Sequence, residues 1–183
     1  HLRWAVDKIF QNAPLAKNID KNLAIFTSRG GRNQDLLIKI WKNHIYSKNN
    51  NLKLLMNSQN NQNEKYNIFN RIQQNQNELI KEMSQSRLFL IPGHKAELFC
   101  LAAAEATEMC IPIVTLGYGC LTERVINGKT GYIAKNEKDF ADLTLTLFND
   151  DHLWQSMRNY LIKNRSKINW AQVANDLIRQ IND

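Results

Sequence analysis

Cysteine is scarce in this chain, and its three copies, Cys100, Cys110 and Cys120, show no CxxC spacing. A disulfide framework needs an even set of thiols, and a structural zinc site needs closely spaced pairs of them. The sequence therefore argues against both. Reduced thiols favour a cytoplasmic location, and we predict one for this protein.

Long hydrophobic runs are also missing. No stretch approaches the roughly 18 apolar residues that a membrane-spanning helix requires, and no signal-peptide pattern is visible. The chain begins at His1 without a methionine, so we expect it to be a piece of a longer protein.

Several motifs typical of other enzyme classes and of nucleic-acid-binding proteins are absent from the sequence. The sequence contains no Ser-His-Asp arrangement, no HExxH and no Walker A motif, and no RNA-binding, zinc-finger or basic-zipper pattern. The net charge of +7 comes from lysines and arginines spread along the whole chain. This spread does not predict a nucleic-acid partner, and it leaves open a solvated basic surface or an anionic ligand such as a phosphate or an acidic lipid.

The residues that are present predict one α/β domain. With 183 residues, of which 43% are hydrophobic, the chain can form one sizeable core, and a second complete domain would not fit. Strand-like runs alternate with helical patterns, which predicts a doubly wound, parallel six-stranded sheet of the Rossmann-like kind with a helical C-terminal tail. The predicted strands are 22–28, 51–56, 66–69, 87–92, 111–116 and 132–134; the predicted helices are 34–47, 77–85, one that carries Glu105, 122–126 and the tail from Asp139 onward. A polar, Asn/Gln-rich loop is predicted over 57–63.

The polar residues follow the predicted strands at their carboxyl ends. They occur in 28–32, 70–72, 93–101 and 117–123. Because ligands of parallel α/β sheets bind beyond the carboxyl ends of the strands, we expect these segments to form one site.

Two carboxylates, Glu97 and Glu105, bracket an otherwise apolar stretch after the fourth predicted strand. Carboxylates are rarely placed in such surroundings without partners, because an unpaired buried charge is costly. The following helix is expected to begin near Phe99 or Cys100, so that the amides of residues 98–101 form an anion site at its start. This arrangement suits the diphosphate and hydroxyl groups of a sugar nucleotide. The alternative is that Glu97 caps the helix and Glu105 pairs with a basic neighbour.

Two arginines, Arg29 and Arg32, flank a Gly-Gly pair at the end of the first predicted strand. Glycine lets the backbone approach a ligand closely, and arginine can hold phosphate oxygens in a bidentate manner. A surface turn with two solvated arginines is the alternative. His94 and Glu123 are further candidates, as an acid/base group and a ligand contact, although a loop histidine can be incidental and Glu123 can cap the next short helix.

The run from Pro92 to Tyr132 resembles the C-terminal, donor-binding domain of the GT-B-fold retaining glycosyltransferases, the glycosyl transferases group 1 family. The resemblance rests on an acid, an aromatic in a tight loop and a second acid, followed by a glycine-to-acid turn and a closing glycine turn. In this chain they are Glu97, Phe99, Glu105, 119–123 and 127–131, with a basic loop at 28–37. Leu98 and Cys100 stand where the family usually has glycine, and Arg32 stands where it usually has lysine.

The resemblance implies a role for each matched position. Arg29, Arg32 and Glu97 would be catalytic, with the arginines on the donor diphosphate and Glu97 on the transferred sugar. Glu105 would bind the ribose and the backbone near Ile72 would face the base. The donor-binding set implied in this way is Ser28, Ile72, Phe99, Cys100, Leu101 and Glu105.

The resemblance also implies a metal-independent, retaining transfer from an NDP-sugar, with no cofactor, to a glycolipid or a polysaccharide such as lipopolysaccharide. Residues 1–21 would then be an interdomain linker or N-terminal extension, and 22–183 the nucleotide-sugar-binding domain. The N-terminal acceptor domain is not in the chain, so the isolated piece is expected to be inactive. A location in the cytoplasm at the inner face of the membrane would follow. The last helix, around 170–181, would pack toward the acceptor domain, which predicts exposed apolar surface.

Two other functions remain open at the sequence level. The chain could be a binding or interaction module that retains the fold without the chemistry. It could also belong to a sugar-nucleotide epimerase of the GT-B type, which would convert the donor without any acceptor.

Overall fold

A computed structural model of the protein describes residues 5–28, 31–57, 61–71, 75–165 and 168–182. Six strands form one sheet in which every neighbouring pair is parallel. The strands are β1 (Asp20–Phe26), β2 (Lys53–Met56), β3 (Ile68–Asn70), β4 (Ser86–Gly93), β5 (Ile113–Tyr118) and β6 (Gly131–Ile133). The predicted doubly wound, six-stranded parallel sheet is confirmed.

Helices connect the strands and extend the chain beyond the last one. They are α1 (Lys8–Gln11), α2 (Gln34–Ile40), α3 (Gln76–Gln85), α4 (Leu101–Glu108), α5 (Leu121–Arg124), α6 (Glu137–Asn149), α7 (Asp151–Lys163) and α8 (Trp170–Asn182). The helical C-terminal tail is confirmed and consists of α6, α7 and α8.

Three details differ from the sequence-based expectation. The predicted helix 34–47 changes after Ile40 into π-helical turns over Trp41–Tyr46, where the buried Trp41 indole donates to the Tyr66 carbonyl at 2.8 Å. The region predicted as a polar loop over 57–63 ends in a 3₁₀ helix, Asn61–Tyr66. Helix α4 begins at Leu101, later than predicted, because Cys100 has a left-handed backbone (φ 57°) that a helix cannot include.

The core lies on both faces of the sheet. All eight residues of β4 are buried, as expected for a central parallel strand that helices cover on both sides. Its neighbour β1 buries Ala24, Ile25 and Phe26 completely. The apolar run from Leu88 to Ile91 in β4 therefore reflects its central place in the sheet.

The strand order is β3-β2-β1-β4-β5-β6. From β1 the chain proceeds outward to β2 and β3, and then returns to place β4 on the other side of β1. The loops that follow β1 and β4 consequently diverge to opposite faces, which opens a crevice between them at the carboxyl edge of the sheet. This crevice is where a ligand is expected.

Helix α8 exposes apolar side chains to solvent. They are Trp170, Leu177, Ile178 and Ile181, of which Ile181 is the most exposed at 71%. None of the helices in the described part of the chain is long and apolar enough to cross a membrane.

Candidate functional site

Arg32 and Glu97 meet across the crevice between β1 and β4. Arg32 lies in the loop after β1 and Glu97 in the loop after β4, and Arg32 Nε is 3.4 Å from Glu97 Oε2. The arginine side chain is 39% exposed and the carboxylate 15% exposed, so solvent reaches the pair from one side. The structure thus brings together two of the three residues that the sequence singled out for catalysis.

The second oxygen of Glu97 is engaged with the start of helix α4. Glu97 Oε1 accepts a hydrogen bond from the Cys100 amide at 3.3 Å. The Cys100 amide was expected to be free for a ligand anion, but the Glu97 carboxylate occupies it. The interpretation of Glu97 as a group that caps the helix is therefore correct for one of its oxygens, while the other faces Arg32.

The loop that carries Glu97 is tied to the loop after β5. The Glu97 amide donates to the His94 carbonyl at 2.9 Å, and the Cys120 amide donates to the Glu97 carbonyl at 3.0 Å. Gly119 makes this approach possible, since a Cβ at this position would lie 2.6 Å from both the Glu97 and the His94 carbonyl oxygens. The backbone position of Glu97 is thus fixed from two sides.

The His94 side chain forms a hydrogen bond with the backbone of its own loop. Its Nδ1 accepts a hydrogen bond from the Ala96 amide at 3.1 Å. Because Nδ1 is engaged in this hydrogen bond, Nε2 is the ring nitrogen that could contact a ligand.

Phe99 is covered by an arginine that the sequence reasoning did not select. The Arg124 guanidinium lies 3.9 Å from the centre of the Phe99 ring, and its Nε donates to the Phe99 carbonyl at 2.9 Å. Arg124 comes directly after Glu123 in α5, and the exposed side chain of Glu123 lies in the first turn of that helix. The sequence predicted a ligand contact for Glu123, whereas in the structure the neighbouring Arg124 contacts the loop that carries Phe99.

Both cysteines of the site are protonated near neutral pH. Burial raises the pKa of Cys100 to about 12 and also raises the pKa of Cys120. Because the thiolate is the reactive form, neither thiol acts as a nucleophile here. Both side chains are packed in the hydrophobic core.

Glu105 lies on α4, partly buried, and its ionisation is unusual. Burial raises its pKa to about 7, with Asp7 acting in the same direction and the Arg71 guanidinium opposing them. Near neutral pH the carboxyl is therefore present in both forms. In the described part of the chain no group donates a hydrogen bond to this carboxyl.

Arg71 is a second arginine that the sequence reasoning missed. It directly follows β3 at the carboxyl edge, is 7% exposed, and holds Glu82 with an Nη2–Oε2 distance of 2.6 Å. Its Nη1 also donates to the Asn57 side chain at 3.3 Å. The strand-end rule did select the segment 70–72 that contains Arg71, but it assigned a role there only to Ile72.

The loops after β1, β2 and β4 are held together by two amide side chains. Asn33 Nδ2 donates to the Gly93 carbonyl at 2.5 Å, and the Gln34 side-chain amide donates to the Asn57 carbonyl. Asn33 directly precedes α2, but its backbone is left-handed and its side chain makes no cap hydrogen bond.

The remaining candidates lie around this edge or outside the described residues. Ser28 is buried just after β1, whereas Leu98 in the loop before α4 is 92% exposed and Leu101, the first residue of α4, is 51% exposed. Arg29 and Ile72 lie outside the described residues. Within those residues, no three His, Cys, Asp or Glu side chains are grouped so that they could hold a metal ion.

Comparison with known proteins supports one family. The sequence pattern of the family described as "Glycosyl transferases group 1" matches residues 7–167. A comparison with curated protein sequences finds no match.

Solved structures with the same fold are numerous. A mutant of TarM from S. aureus, in complex with fondaparinux, alpha-GlcNAc-glycerol and UDP, superposes with a TM-score of 0.71 at 21% identity over 94% of this chain and 37% of that one. The pneumococcal O-GlcNAc transferase GtfA, in complex with UDP and GlcNAc, gives a TM-score of 0.71 at 17% identity over 92% of this chain and 37% of its own. The chain thus spans little more than a third of these two proteins.

A third structure corresponds to the chain over nearly its own full length. It is the C-terminal domain of LpcC, a group 1 glycosyl transferase family protein from Francisella tularensis, with a TM-score of 0.67 at 17% identity over 87% of this chain and 98% of that domain. At these identities the likeness shows the fold, and the fold is that of a C-terminal domain of this family.

Proposed function

Because the chain belongs to the glycosyl transferases group 1 family, we propose that it is the donor-binding domain of an enzyme that transfers a sugar from an NDP-sugar to a glycolipid or polysaccharide. The observation that carries the proposal is the meeting of Arg32 and Glu97 at the crevice between β1 and β4. A guanidinium and a carboxylate at this place suit the two halves of a donor, a diphosphate and a sugar.

The proposed role of Arg32 is electrostatic. Its partly exposed guanidinium can move from Glu97 to the diphosphate oxygens and stabilise the negative charge that develops as the diphosphate leaves. Arg29, the residue directly after Ser28, is proposed to act with it. The transfer is proposed to retain the configuration of the sugar without a metal ion, with the donor phosphate accepting the proton of the acceptor hydroxyl.

The proposed role of Glu97 is to position the sugar. Its Oε1 is held by the Cys100 amide, so the carboxylate is fixed in place while Oε2 turns to the sugar hydroxyls. The amides of Phe99 and Leu101 would contact sugar and phosphate, the Glu105 carboxylate the ribose, and the backbone near Ile72 the base. The presence of UDP in the complexes of TarM and GtfA supports a nucleoside diphosphate as the ligand of this crevice.

The acceptor is proposed to bind to a second domain that closes over the crevice, as expected for proteins of which this chain covers about a third. Action on a membrane-linked acceptor would place the enzyme in the cytoplasm, at the inner membrane face. The chain alone should therefore bind donor weakly and transfer little sugar.

Donor binding can be measured by calorimetric titration of the chain with UDP, GDP and their sugars. We expect one of these series to bind, and Arg32→Ala to weaken binding about tenfold or more, since a charge-assisted contact of about 1.5 kcal/mol or more is lost. Arg179→Ala, which removes an exposed arginine of α8, is the matched control and should bind like the unmodified chain. A chain that binds none of the nucleotides would contradict the proposal.

The chemical role is tested in the full-length protein that contains the acceptor domain. Glu97→Gln should lower kcat for sugar transfer without unfolding the protein. The amide that replaces the carboxylate has no negative charge, so it accepts hydrogen bonds from the sugar hydroxyls less strongly. Unchanged transfer by this variant would instead indicate a module that uses the fold without the chemistry.

A further inference from the structure

A cavity of about 830 Å³ opens at the amino edge of the sheet, at the far end of the strands from the crevice. Its walls include the start of β1, the start of β4 and helix α7. Since β4 has eight residues, the two sites are separated by roughly 25 Å along the strands. We call this cavity the rear pocket; the charged and aromatic residues that line it are Lys17, Lys21, Arg87, Asp151, Trp154 and Arg158.

Arg158 is buried in the wall of the rear pocket without an acidic partner. It is 6% exposed, and its guanidinium donates to the Ala16 carbonyl at 3.1 Å and to the Cys110 carbonyl at 3.5 Å. No carboxylate of the described residues lies within salt-bridge distance of it. Burial accordingly lowers the pKa of Arg158. A buried cation without a counter-ion is costly, and an anion in the pocket would remove that cost.

A second buried arginine, Arg87, lies against the ring of Trp154, as Arg158 does. Arg87 is 1% exposed, and the guanidinium carbons of Arg87 and Arg158 lie 4.8 and 5.4 Å from the centre of the Trp154 ring. Among the described residues Asp151 is the one carboxylate that lines the pocket, and its two oxygens pair with Arg87 at 2.7 Å and Lys21 at 2.5 Å. The two arginines and two lysines that line the pocket thus outnumber its carboxylate. Together they suit a ligand group with more than one negative charge.

Apolar side chains and two amide side chains, Asn18 and Gln155, form the rest of the rear pocket. Leu15, Ile19 and Ile162 line it together with the Trp154 ring. The volume lies within the range of small-molecule binding sites, roughly 300–1,000 Å³, and such sites combine apolar walls with convergent polar groups. We infer that the rear pocket binds a ligand that carries a phosphate monoester on an apolar group, with Arg158 as the main contact of the phosphate.

The inference is independent of the proposed donor site, and NMR of the ¹⁵N-labelled chain can follow the two separately. The Trp154 indole N–H donates to the Arg87 carbonyl at 2.8 Å and therefore reports on the rear pocket; Trp154→Phe assigns its signal. The amides of the 97–101 loop report on the crevice. A titration with hexyl phosphate should shift the Trp154 indole signal to saturation and leave the loop amides in place, whereas hexanol, which lacks the charge, should have little effect.

Three variants test the contacts. Arg158→Gln should weaken hexyl phosphate binding about tenfold or more, and Lys17→Gln, at an exposed position that is not expected to disturb folding, about threefold. Lys138→Gln removes an exposed lysine of α6 that does not line the pocket and should have no effect. Circular dichroism shows which variants are folded.

Inorganic phosphate and vesicles of phosphatidylcholine with phosphatidic acid distinguish a soluble ligand from a lipid headgroup. Vesicle binding that depends on Lys17 and Arg158 indicates the lipid, and saturation by hexyl phosphate without such vesicle binding indicates the soluble ligand. The inference is overturned if hexyl phosphate leaves the Trp154 signal unshifted, or if Lys138→Gln weakens binding as much as Lys17→Gln does.

Discussion

The carboxyl of Glu105 should make the stability of this domain depend on pH in a way that one substitution removes. Burial raises its pKa to about 7 in the folded chain, compared with 4.5 for an ordinary glutamate. Below pH 4.5 the group is protonated in both the folded and the unfolded state and contributes no difference. Between pH 4.5 and 7 the unfolded chain ionises first, so the free energy of unfolding falls as the pH rises.

The size of the effect follows from the same two values. At about 1.4 kcal/mol per pH unit, the gap between 4.5 and about 7 corresponds to about 3 kcal/mol at pH 8. Solvent reaches part of the side chain and screens its charge, which places the expected penalty at about 1 to 3 kcal/mol. The penalty should be complete above pH 7.

Glu105→Gln keeps the size of the side chain and abolishes its titration. Urea unfolding followed by circular dichroism should show no more than a small difference between the variant and the unmodified chain at pH 4, and an advantage of about 1 to 3 kcal/mol for the variant at pH 8. Glu123→Gln, which removes an exposed carboxylate, is the matched control and should follow the unmodified chain at both pH values. If the difference between the Glu105 variant and the unmodified chain is the same at pH 4 and pH 8, the reasoning from burial is wrong.

Three further outcomes are expected at the crevice. If ribose hydroxyls donate to ionised Glu105, the Kd for UDP should fall several-fold from pH 6 to pH 8, as the pH passes the pKa of about 7, and calorimetry on Glu105→Gln should show a flat profile. Cys100→Gly should be more stable than Cys100→Ala by about 1 kcal/mol in urea unfolding, because both lose the thiol but only alanine keeps a Cβ at φ 57°; equal stabilities would argue against backbone strain at this position. Gly119→Ala should cost more than about 1 kcal/mol of stability and weaken UDP binding, since its Cβ would lie 2.6 Å from the carbonyl oxygens of His94 and Glu97; an unaffected variant would show that the two loops separate easily.

The sheet could be predicted because its signals are local. The apolar run of β4 and the β-rich segments on either side of it required burial on both faces, and the helices between them required parallel pairing. The predicted carboxyl-edge segments then followed from topology. The meeting of Arg32 with Glu97 depends on β4 returning to the side of β1, and the general rule for doubly wound sheets supplied that step.

Other features depend on contacts between distant segments and leave little trace in the sequence. The left-handed backbone of Cys100 arises where the loop turns into α4, at a position where glycine would have signalled the turn. The contact of Arg124 with Phe99 and the effect of Arg71 on Glu105 each join residues from separate segments of the chain. The rear pocket joins residues from before β1 with residues of α7, and a search limited to the carboxyl edge does not reach it.

The two ion pairs at the carboxyl edge differ in how easily a ligand can replace them. Arg71 and Glu82 have side-chain exposures of 5% and 20% and an atom separation of 2.6 Å, so they form a built-in part of the fold. Arg32 and Glu97 are 3.4 Å apart and the arginine is 39% exposed. A pair of this kind contributes about 0–1 kcal/mol, so a diphosphate can take over the Arg32 guanidinium at little cost. Glu97 would then keep the Cys100 amide on one oxygen and have the other free for a sugar hydroxyl. The weakness of this pair therefore favours a binding role for Arg32 and Glu97 over a structural one.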